Sequence, residues 1–381
     1  QLDSDASLGN FLVPLLAHVG LISDAHQVFN KLVRPNDCTW NFLIIAYAKC
    51  GNLNLALVLY EQMVEDCAQP NVGAFIALLK ACSKMQNGEK GLELHAEICR
   101  KGLDRDPFIL SILVDMYAKC NFLEKAQEVF DNSPSQDVVM WTTLISGYVK
   151  HGDAKKALCC FERMQSDGIH PNIVTYFCSL KSCGILQDIG KCQELHAEIA
   201  RRGFENDSFI GSSLIDVYVK FCLLKKAQDV FDKLPVRDTV SYNALIAGYI
   251  QNELSEDALK CFVKMQEKGF SPDAVTVVCI LKACSNLGSA EKGENIHSDL
   301  LKLGLLGTTD IVVGTALVDM YAKCGLLSKA QEIFNKLSQR DTVSWNALMT
   351  GYVQQGLSVE ALDCFSQMQA DGVPPDAVTF S

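Results

Sequence analysis

The sequence predicts an all-α fold, an α-solenoid of about eleven helix-turn-helix repeats. Three observations indicate it. Segments of the form AQEVFD return at long regular intervals, apolar residues between them follow the spacing of amphipathic helices, and glycines separate these helical stripes. A single helix pair cannot bury such stripes alone, so neighbouring pairs must stack and form a concave inner surface.

The long interval is close to 101 residues. AHQVFNKL starts at position 25, AQEVFDNS at 126, AQDVFDKL at 227 and AQEIFNKL at 330, so successive copies lie 101, 101 and 103 residues apart. Three histidines, His95, His196 and His297, keep the same interval, and a two-residue insertion follows the last of them. The chain therefore contains a superperiod larger than one helix pair.

Each superperiod divides into three repeats of 31, 35 and 35 residues, which together give the 101-residue interval. The short repeats are 6–36, 107–137, 208–238 and 311–341; the 35-residue P repeats are 37–71, 138–172, 239–273 and 342–376; the third, or L, repeats are 72–106, 173–207 and 274–310. A truncated repeat follows at 377–381. We expect residues 1–381 to form a single array.

Each repeat contains two helical stripes. In the last short repeat the first stripe consists of Leu317, Met320, Tyr321 and Cys324, and Gly325 supplies the left-handed residue that ends a helix. Ser328 and Gln331 have capping-box spacing, which predicts the start of the second helix, with its stripe at Ala330, Ile333, Phe334 and Leu337. In P repeats the second stripe is of the type Ala258, Leu259, Phe262 and Met265, closed by Gly269.

Composition limits the classes of protein that fit. The chain is 49% hydrophobic and 21% charged with 10 prolines, which excludes long disorder, and its apolar runs are too short to cross a membrane. Its 17 cysteines are spread out without a Cys-x-x-Cys motif, so we expect reduced, mostly buried thiols and no zinc site. The net charge of −11 argues against holding phosphates by overall charge, although a groove can be locally basic.

Several motifs together resemble a known family. MYAKCG at 320–325, VSWNAL at 343–348, LKACS at 281–285 and the alternating repeat lengths are similar to the PLS subclass of pentatricopeptide repeat (PPR) proteins, over essentially the whole chain. The resemblance implies a right-handed α-solenoid superhelix that binds single-stranded RNA in a mitochondrion or chloroplast, as the specificity module of a plant cytidine-to-uridine editing factor with editing-complex proteins as further partners. It implies no cofactor and no catalysis within these residues. Because Gln1 is not Met and no Arg-rich transit segment follows, we expect the amino end to be trimmed.

The resemblance also implies which residues read bases. Two residues per repeat face the groove, one just inside the first helix and one at the end of the repeat, and together they hydrogen-bond one base edge. The pairs are Asn10 with Asn36, Asn41 with Asn71, Ser111 with Asp137, Thr142 with Asn172, Ser212 with Asp238, Asn243 with Asp273, Thr315 with Asp341, and Asn346 with Asp376.

The family's code assigns guanine to Ser or Thr with Asp, adenine to Thr with Asn, uracil to Asn with Asp, and a pyrimidine to two Asn. Read from the 5′ end, the implied target is 5′-YYnGAnGUnGU-3′. The L repeats carry Ile76, Phe177 and Val278 at the first position, which offer no hydrogen bond to a base and are assigned to packing or spacing.

Alternatives remain open at this point. Asn, Ser, Thr and Asp are favoured at helix starts for capping alone. A helical scaffold for protein partners, or an RNA processing or stabilisation factor without editing, would share the repeat pattern. Paired small polar groups at two fixed positions favour RNA over a scaffold.

Other motifs indicate packing. His95-Ala96-Glu97 and His196-Ala197-Glu198 resemble half of a zinc deaminase signature, but the cysteine half is missing and the motif recurs with the repeat. We interpret Trp40, Trp141 and Trp345, with Tyr242 at the same position, as core residues rather than base-stacking platforms. Met63, Met164, Met265 and Met368 belong to buried stripes as well.

Overall fold

The structure is a computed structural model that describes residues 2–302 and 311–380. Within these ranges the chain forms α-helices and one short 3-10 helix, Phe204–Asn206, and no strand. The helices are α1 (Leu2–Val19), α2 (Ile22–Phe29), α3 (Asp37–Lys49), α4 (Leu53–Glu65), α5 (Val72–Met85), α6 (Gly88–Arg100), α7 (Pro107–Lys119), α8 (Leu123–Asp131), α9 (Val138–Lys150), α10 (Ala154–Ser166), α11 (Ile173–Leu186), α12 (Ile189–Arg201), α13 (Ser208–Lys220), α14 (Leu224–Lys233), α15 (Thr239–Gln251), α16 (Ser255–Glu267), α17 (Ala274–Leu287), α18 (Ala290–Lys302), α19 (Ile311–Lys323), α20 (Leu327–Lys336), α21 (Thr342–Gln354) and α22 (Ser358–Ala370).

The predicted all-α class is confirmed. Odd-numbered helices are the first helices of the repeats and even-numbered helices are the second. From α3 onward, each first helix begins at the residue where the sequence places a new repeat, whereas α1 begins at Leu2, before the repeat placed at 6. Part of the L repeat 274–310 lies outside the described residues.

The chain forms two compact halves, Gln1–Leu186 and Gln187–Ser381, and each is described by itself. In the amino-terminal half, consecutive first helices pack directly on one another, from α1 on α3 to α9 on α11. In the carboxy-terminal half the same stacking runs from α13 on α15 to α19 on α21. Within each half, second helices pack against the first helix of their own repeat and of the next, as α4 does on α3 and α5 and α16 does on α15 and α17. Each half therefore has one surface built from first helices, the first-helix face.

Left-handed residues join the two helices of each short repeat. Gly325 has a φ of +78°, as predicted, and Cys222 takes the equivalent position with a φ of +57°. The Leu326 N–H donates to the Tyr321 carbonyl at 2.9 Å, and the Gly325 N–H donates to the Ala322 carbonyl at 3.1 Å. These two hydrogen bonds form the Schellman motif. The first helix thus ends in a turn that also fixes the entry of the second.

The predicted capping box at Ser328 and Gln331 is wrong. Helix α20 begins at Leu327, its N-cap is Leu326, and no side chain caps it. Leu326 is at once the last residue of the Schellman turn and the N-cap, and its partly buried side chain packs on the core. An apolar residue is needed there, so Ser328 falls inside the first turn. Gln331 instead accepts a hydrogen bond from the Tyr352 hydroxyl at 2.9 Å.

The aromatic residues at the starts of the P-repeat first helices lie in the core. Trp40, Trp141, Trp345 and Tyr242 are buried. Each makes an edge contact with a phenylalanine of the preceding second helix, such as Trp141 with Phe130 at a centroid distance of 4.4 Å. The interpretation of these aromatic residues as core residues is confirmed. The prediction of buried methionines is confirmed as well, because Met63, Met164, Met265 and Met368 are fully buried.

The recurring histidines join neighbouring repeats. The Nδ1 atoms of His95, His196 and His297 lie 2.9, 2.7 and 2.7 Å from tyrosine hydroxyls of the next first helix, those of Tyr117, Tyr218 and Tyr321. Burial lowers the pKa of all three histidines. Their ring nitrogens thus serve packing between repeats, and no cluster of three metal-binding side chains occurs among the described residues.

Candidate nucleic-acid interface

The second residue of seven predicted pairs caps a first helix, and the eighth, Asp376, makes the same contact in the turn at residues 377–380. These residues are Asn36, Asn71, Asp137, Asn172, Asp238, Asp273, Asp341 and Asp376, and in each the side-chain Oδ1 accepts the backbone N–H three residues later, at 2.8 to 3.0 Å. Capping therefore accounts for the Oδ1 atom of each side chain. The second terminal atom is not needed for the cap and can bond to another group: it is an acceptor oxygen on Asp and a donor N–H₂ on Asn.

The first residue of each pair lies on the fifth position of its repeat, one turn into the first helix. Five of these residues bond directly to their partner within the described chain. Asn243 Nδ2 lies 3.0 Å from both carboxylate oxygens of Asp273, and Asn346 Nδ2 lies 2.9 Å from Asp376 Oδ1. The Asn71 and Asn36 backbone N–H groups donate to Asn41 Oδ1 at 2.8 Å and to Asn10 Oδ1 at 3.0 Å. The fifth contact, from Asn172 Nδ2 to Thr142 Oγ1, is longer at 3.5 Å.

The three pairs that combine Ser or Thr with Asp differ. Ser212 donates to the Phe209 carbonyl at 3.0 Å, within its own helix. The Thr315 Oγ1 atom is buried and has no hydrogen-bond partner in the described structure. Among the described residues, neither hydroxyl bonds to the Asp of its pair, in contrast to the Asn–Asp pairs.

A cleft in the carboxy-terminal half brings two pairs together. It has a volume of about 660 Å³ and lies between α17, α19 and α21. Thr315, Asp341, Asn346 and Asp376 line it, together with Val278 of the preceding L repeat. Two successive predicted pairs thus open onto one surface, the first-helix face.

The carboxylates of the Asn–Asp pairs are held ionised. Burial acts to raise the pKa of Asp273, but hydrogen bonds from the Thr276 backbone and hydroxyl and from the Asn243 amide outweigh it, and the net pKa is lowered. The pKa of Asp376 is lowered by the Thr379 backbone N–H and the Asn346 amide. An ionised carboxylate only accepts hydrogen bonds, so these groups select ligands that carry an N–H.

A row of exposed apolar side chains was not predicted from the sequence. They occupy the second position of the first helices, or in Val378 the second position of the truncated repeat, and expose between 46% and 62% of their surface: Phe108, Val139, Val174, Phe209, Val240, Val275, Val312, Val343 and Val378. Val343 and Val378 line the same cleft as the predicted pairs. The sequence signal was an apolar residue two positions after the polar capping residue in most repeats, outside the apolar stripe of the core.

A group of lysines on the first helices was also not predicted from the sequence. In the amino-terminal half, Lys49, Lys80 and Lys84 line a cleft of about 410 Å³, and Lys84, Lys119, Lys150 and Lys181 line another of about 500 Å³. Lys119, Lys220 and Lys323 in the short repeats pair with an Asp four residues earlier, at 2.9, 2.6 and 2.9 Å. In the amino-terminal half, the lysines of these two clefts make the first-helix face locally basic, although the chain carries a net charge of −11.

Family models match most of the chain. The PPR repeat family model matches residues 35–84, 136–184, 237–286 and 340–381. The PPR repeat model matches residues 74–103, 108–135, 212–238 and 315–341. The two models together account for helix pairs in both halves.

Proteins of Arabidopsis thaliana are similar over nearly the whole chain. A chloroplastic pentatricopeptide repeat-containing protein is 34% identical over 97% of this chain and 45% of its own length. Two mitochondrial ones are 33% and 31% identical, cover 99% of this chain, and are themselves covered over 62% and 68% of their length. The chain thus spans about half of the first of these relatives and about two thirds of the other two.

Solved structures share the architecture. The crystal structure of the pentatricopeptide repeat protein PPR10 in complex with an 18-nt psaJ RNA element superposes with a TM-score of 0.77 at 19% identity, covering 100% of this chain and 57% of that one. PPR10 from maize gives a TM-score of 0.69 at 19% identity, with coverages of 98% and 60%. This likeness shows the α-solenoid fold. No helix in the described ranges is long and apolar enough to cross a membrane. On the matching family models and on a relative 31% identical that the chain covers over 68% of its length, the chain belongs to the pentatricopeptide repeat family.

Proposed function

We propose that this chain binds single-stranded RNA on its first-helix face and reads one base per repeat. The observation that carries the proposal is that each capping residue uses one side-chain atom for the helix and leaves a second for a ligand. Asp and Asn hold the same position but offer opposite hydrogen-bonding groups. A surface that alternates acceptors and donors at fixed spacing can read a sequence of base edges.

The chemistry of the bases supports the assigned letters. Guanine and uracil carry a ring N–H on the Watson–Crick edge and match the Asp acceptor of Asp137, Asp238, Asp273, Asp341 and Asp376. Adenine and cytosine carry an unprotonated ring nitrogen there and match the Asn donor of Asn36, Asn71 and Asn172. The first residue then separates large bases from small ones, because Ser and Thr leave room for a purine and Asn does not. The proposed target is 5′-YYnGAnGUnGU-3′.

The other two features of the face suit RNA as well. The exposed valines flank the polar pairs and offer apolar contact to base rings. The lysines of the first helices offer charge to phosphates. Ile76, Phe177 and Val278 of the L repeats present no polar group, and we assign them to spacing between readable bases. A protein-binding scaffold would not require polar pairs in eight repeats at one register.

We further propose that the whole protein acts in a plant organelle. Its relatives are named as chloroplastic or mitochondrial proteins, and PPR10 is described in complex with RNA. The alternation of short, P and L repeats is typical of the PLS subclass, which supports a role as the specificity module of a cytidine-to-uridine editing factor with editing-complex partners. RNA processing without editing is the alternative. We assign no catalysis to these residues.

Binding to synthetic RNA tests the proposal. The probe is the fluorescein-labelled 11-mer 5′-CCAGAAGUAGU-3′, and fluorescence anisotropy compares it with variants that change one coded letter at a time. We expect each change to weaken binding and DNA of the same sequence to bind less well. Asn243→Thr, beside an unchanged Asp273, moves preference at the eighth letter from uracil to guanine. Equal affinity for all single-letter variants would instead favour a scaffold.

A further inference from the structure

In four repeats, a threonine contacts the first recognition residue of the preceding repeat. Thr276 is the third residue of α17 and is fully buried. Its Oγ1 lies 2.5 Å from Asn243 Oδ1 and 2.9 Å from Asp273 Oδ1, and it accepts the Asp273 backbone N–H at 3.2 Å. The hydroxyl has one proton, and the shorter contact directs it to Asn243. The Asn243 oxygen is thereby held inward, and its amide N–H₂ faces the Asp273 carboxylate.

The same contact recurs wherever threonine holds this third position. Thr39 Oγ1 lies 2.7 Å from Asn10 Oδ1, Thr175 Oγ1 lies 3.0 Å from Thr142 Oγ1, and Thr379 Oγ1 lies 2.8 Å from Asn346 Oδ1. Each pair joins one repeat to the next. The recognition residue is therefore fixed from outside its own repeat.

Other residues at the third position do not make the contact. Ala74 and Met140 have no hydroxyl. Ser241 and Ser344 donate to the carbonyl of their own capping residue, Asp238 and Asp341, at 2.8 and 2.9 Å. These serines serve the cap alone, so capping and contact with the preceding repeat are separable roles.

Two repeats with the same Asn–Asn pair limit the role of the hydroxyl. Asn10 is contacted by Thr39, whereas Asn41 faces Ala74. In both, Oδ1 accepts the N–H of the capping residue and Nδ2 donates to the carbonyl two residues before it, at 3.3 Å in Asn10 and 3.1 Å in Asn41. Asn41 Nδ2 also donates to the Asp37 carbonyl at 2.6 Å. Backbone alone therefore orients the amide in Asn–Asn pairs, and the threonine contact matters where the amide faces an Asp carboxylate, as in Asn243 and Asn346.

We propose that Thr175, Thr276 and Thr379 are positioning residues that set the orientation of the first recognition residue of the preceding repeat. A repeat would then read its base with three residues, the third supplied by its neighbour. For Asn243, loss of the hydroxyl lets the amide rotate and present its oxygen where a uracil carbonyl binds. Two acceptors would then face each other, and discrimination of uracil from cytosine falls. This inference rests on the proposed function.

Thr276→Val tests the inference, because valine keeps the shape and removes only the hydroxyl. The readout is the ratio of affinities of the 381-residue chain for 5′-CCAGAAGUAGU-3′ and its variant with cytosine at the eighth letter. One net hydrogen bond is worth about 1 kcal/mol, so we expect the ratio to fall about fivefold, with letters 5 and 10 unchanged. Thr175→Val should lower the preference for adenine over guanine at the fifth letter in the same way and serves as the second variant.

Ser344→Ala is the matched control. It removes a third-position hydroxyl that serves only the cap, so the preference for guanine at the tenth letter should stay within about twofold while thermal stability drops as in Thr276→Val. An unchanged uracil-to-cytosine ratio in Thr276→Val, or an equal loss at the tenth letter in Ser344→Ala, overturns the inference. If the unmodified chain does not distinguish the two bases at the eighth letter, the proposed function fails there and the inference fails with it.

Discussion

Replacing Asp273 by Asn exchanges an acceptor for a donor at one reading position. The Asp273 Oδ1 caps the Thr276 N–H at 2.9 Å, and Asn caps equally well in this chain, as Asn71 does at 2.9 Å. The capping bond is thus retained. The folded state loses a negative charge at the start of α17, worth about 0.3–1 kcal/mol, and the bond from Asn243 Nδ2 to the second Asp273 oxygen, worth about 1 kcal/mol.

The effect on base choice is larger. A hydrogen bond from a uracil ring N–H to an ionised carboxylate contributes about 1.5–3 kcal/mol, which corresponds to roughly 10- to 150-fold in affinity. In Asp273→Asn the N–H₂ meets that uracil N–H donor to donor, while it matches the unprotonated ring nitrogen of cytosine. We therefore expect preference at the eighth letter to change from uracil to cytosine, with other letters unaffected.

Competition anisotropy with the four 11-mers that differ at the eighth letter measures this change, and thermal melting measures stability. Asp188→Asn is the control in the same half, because Asp188 caps a second helix, through the Lys191 N–H at 2.9 Å, away from the first-helix face. Asp188→Asn should lose similar stability and keep its preference for uracil. Retained uracil preference in Asp273→Asn, or a loss of stability well above about 2 kcal/mol, would refute the separation of capping from reading.

Three further predictions concern charge, pH and the backbone. Lys150→Gln and Lys181→Gln should each weaken binding of every 11-mer alike and reduce the slope of log affinity against log salt by about 0.7, whereas Lys260→Gln on a second helix leaves the slope unchanged. The lowered pKa of His196 means that the unfolded state binds more protons, so stability should be full above about pH 6.5 and fall as the pH drops below it. His196→Gln, the residue that pairs with tyrosine at other repeats, should flatten that dependence in melts from pH 7.5 to 5.5. Cys222→Gly should raise the free energy of unfolding by about 0.5–1 kcal/mol, because a side chain is strained at its φ of +57°; a decrease in denaturant titration contradicts this.

The regular parts of the fold were predictable because they repeat. Each apolar stripe recurs in several repeats, so a helix that is ambiguous once becomes clear in four copies, and the starts of α3, α9, α15 and α21 follow directly. The capping box at Ser328 failed for a local reason. Its spacing fits a cap, but the Schellman turn places Leu326 at that point, and a turn shared by two helices is not visible in residue spacing.

The eight pairs of the candidate site follow from the family resemblance and stay a prediction, and their geometry could not be predicted from the sequence. Neither resemblance nor spacing could show that Asn41 is buried with its amide bonded to backbone. The valines at the second helical position were missed because an apolar residue near a helix start is normally assigned to the core. The lysines were missed because each stands alone in the sequence, and only stacking of α5, α7, α9 and α11 collects them on one cleft.

Capping and reading share one side chain, and this has a consequence for how specificity can change. The helix start fixes Oδ1 of residues such as Asp238 and Asn172, and this holds the second terminal atom in place without help from the ligand. No rotamer entropy is then lost on binding at that position, which favours discrimination. An exchange of Asp for Asn keeps the cap and alters only the second atom. Base preference can therefore change one letter at a time at almost constant stability, provided that the third-position residue of the next repeat holds the partner side chain in place.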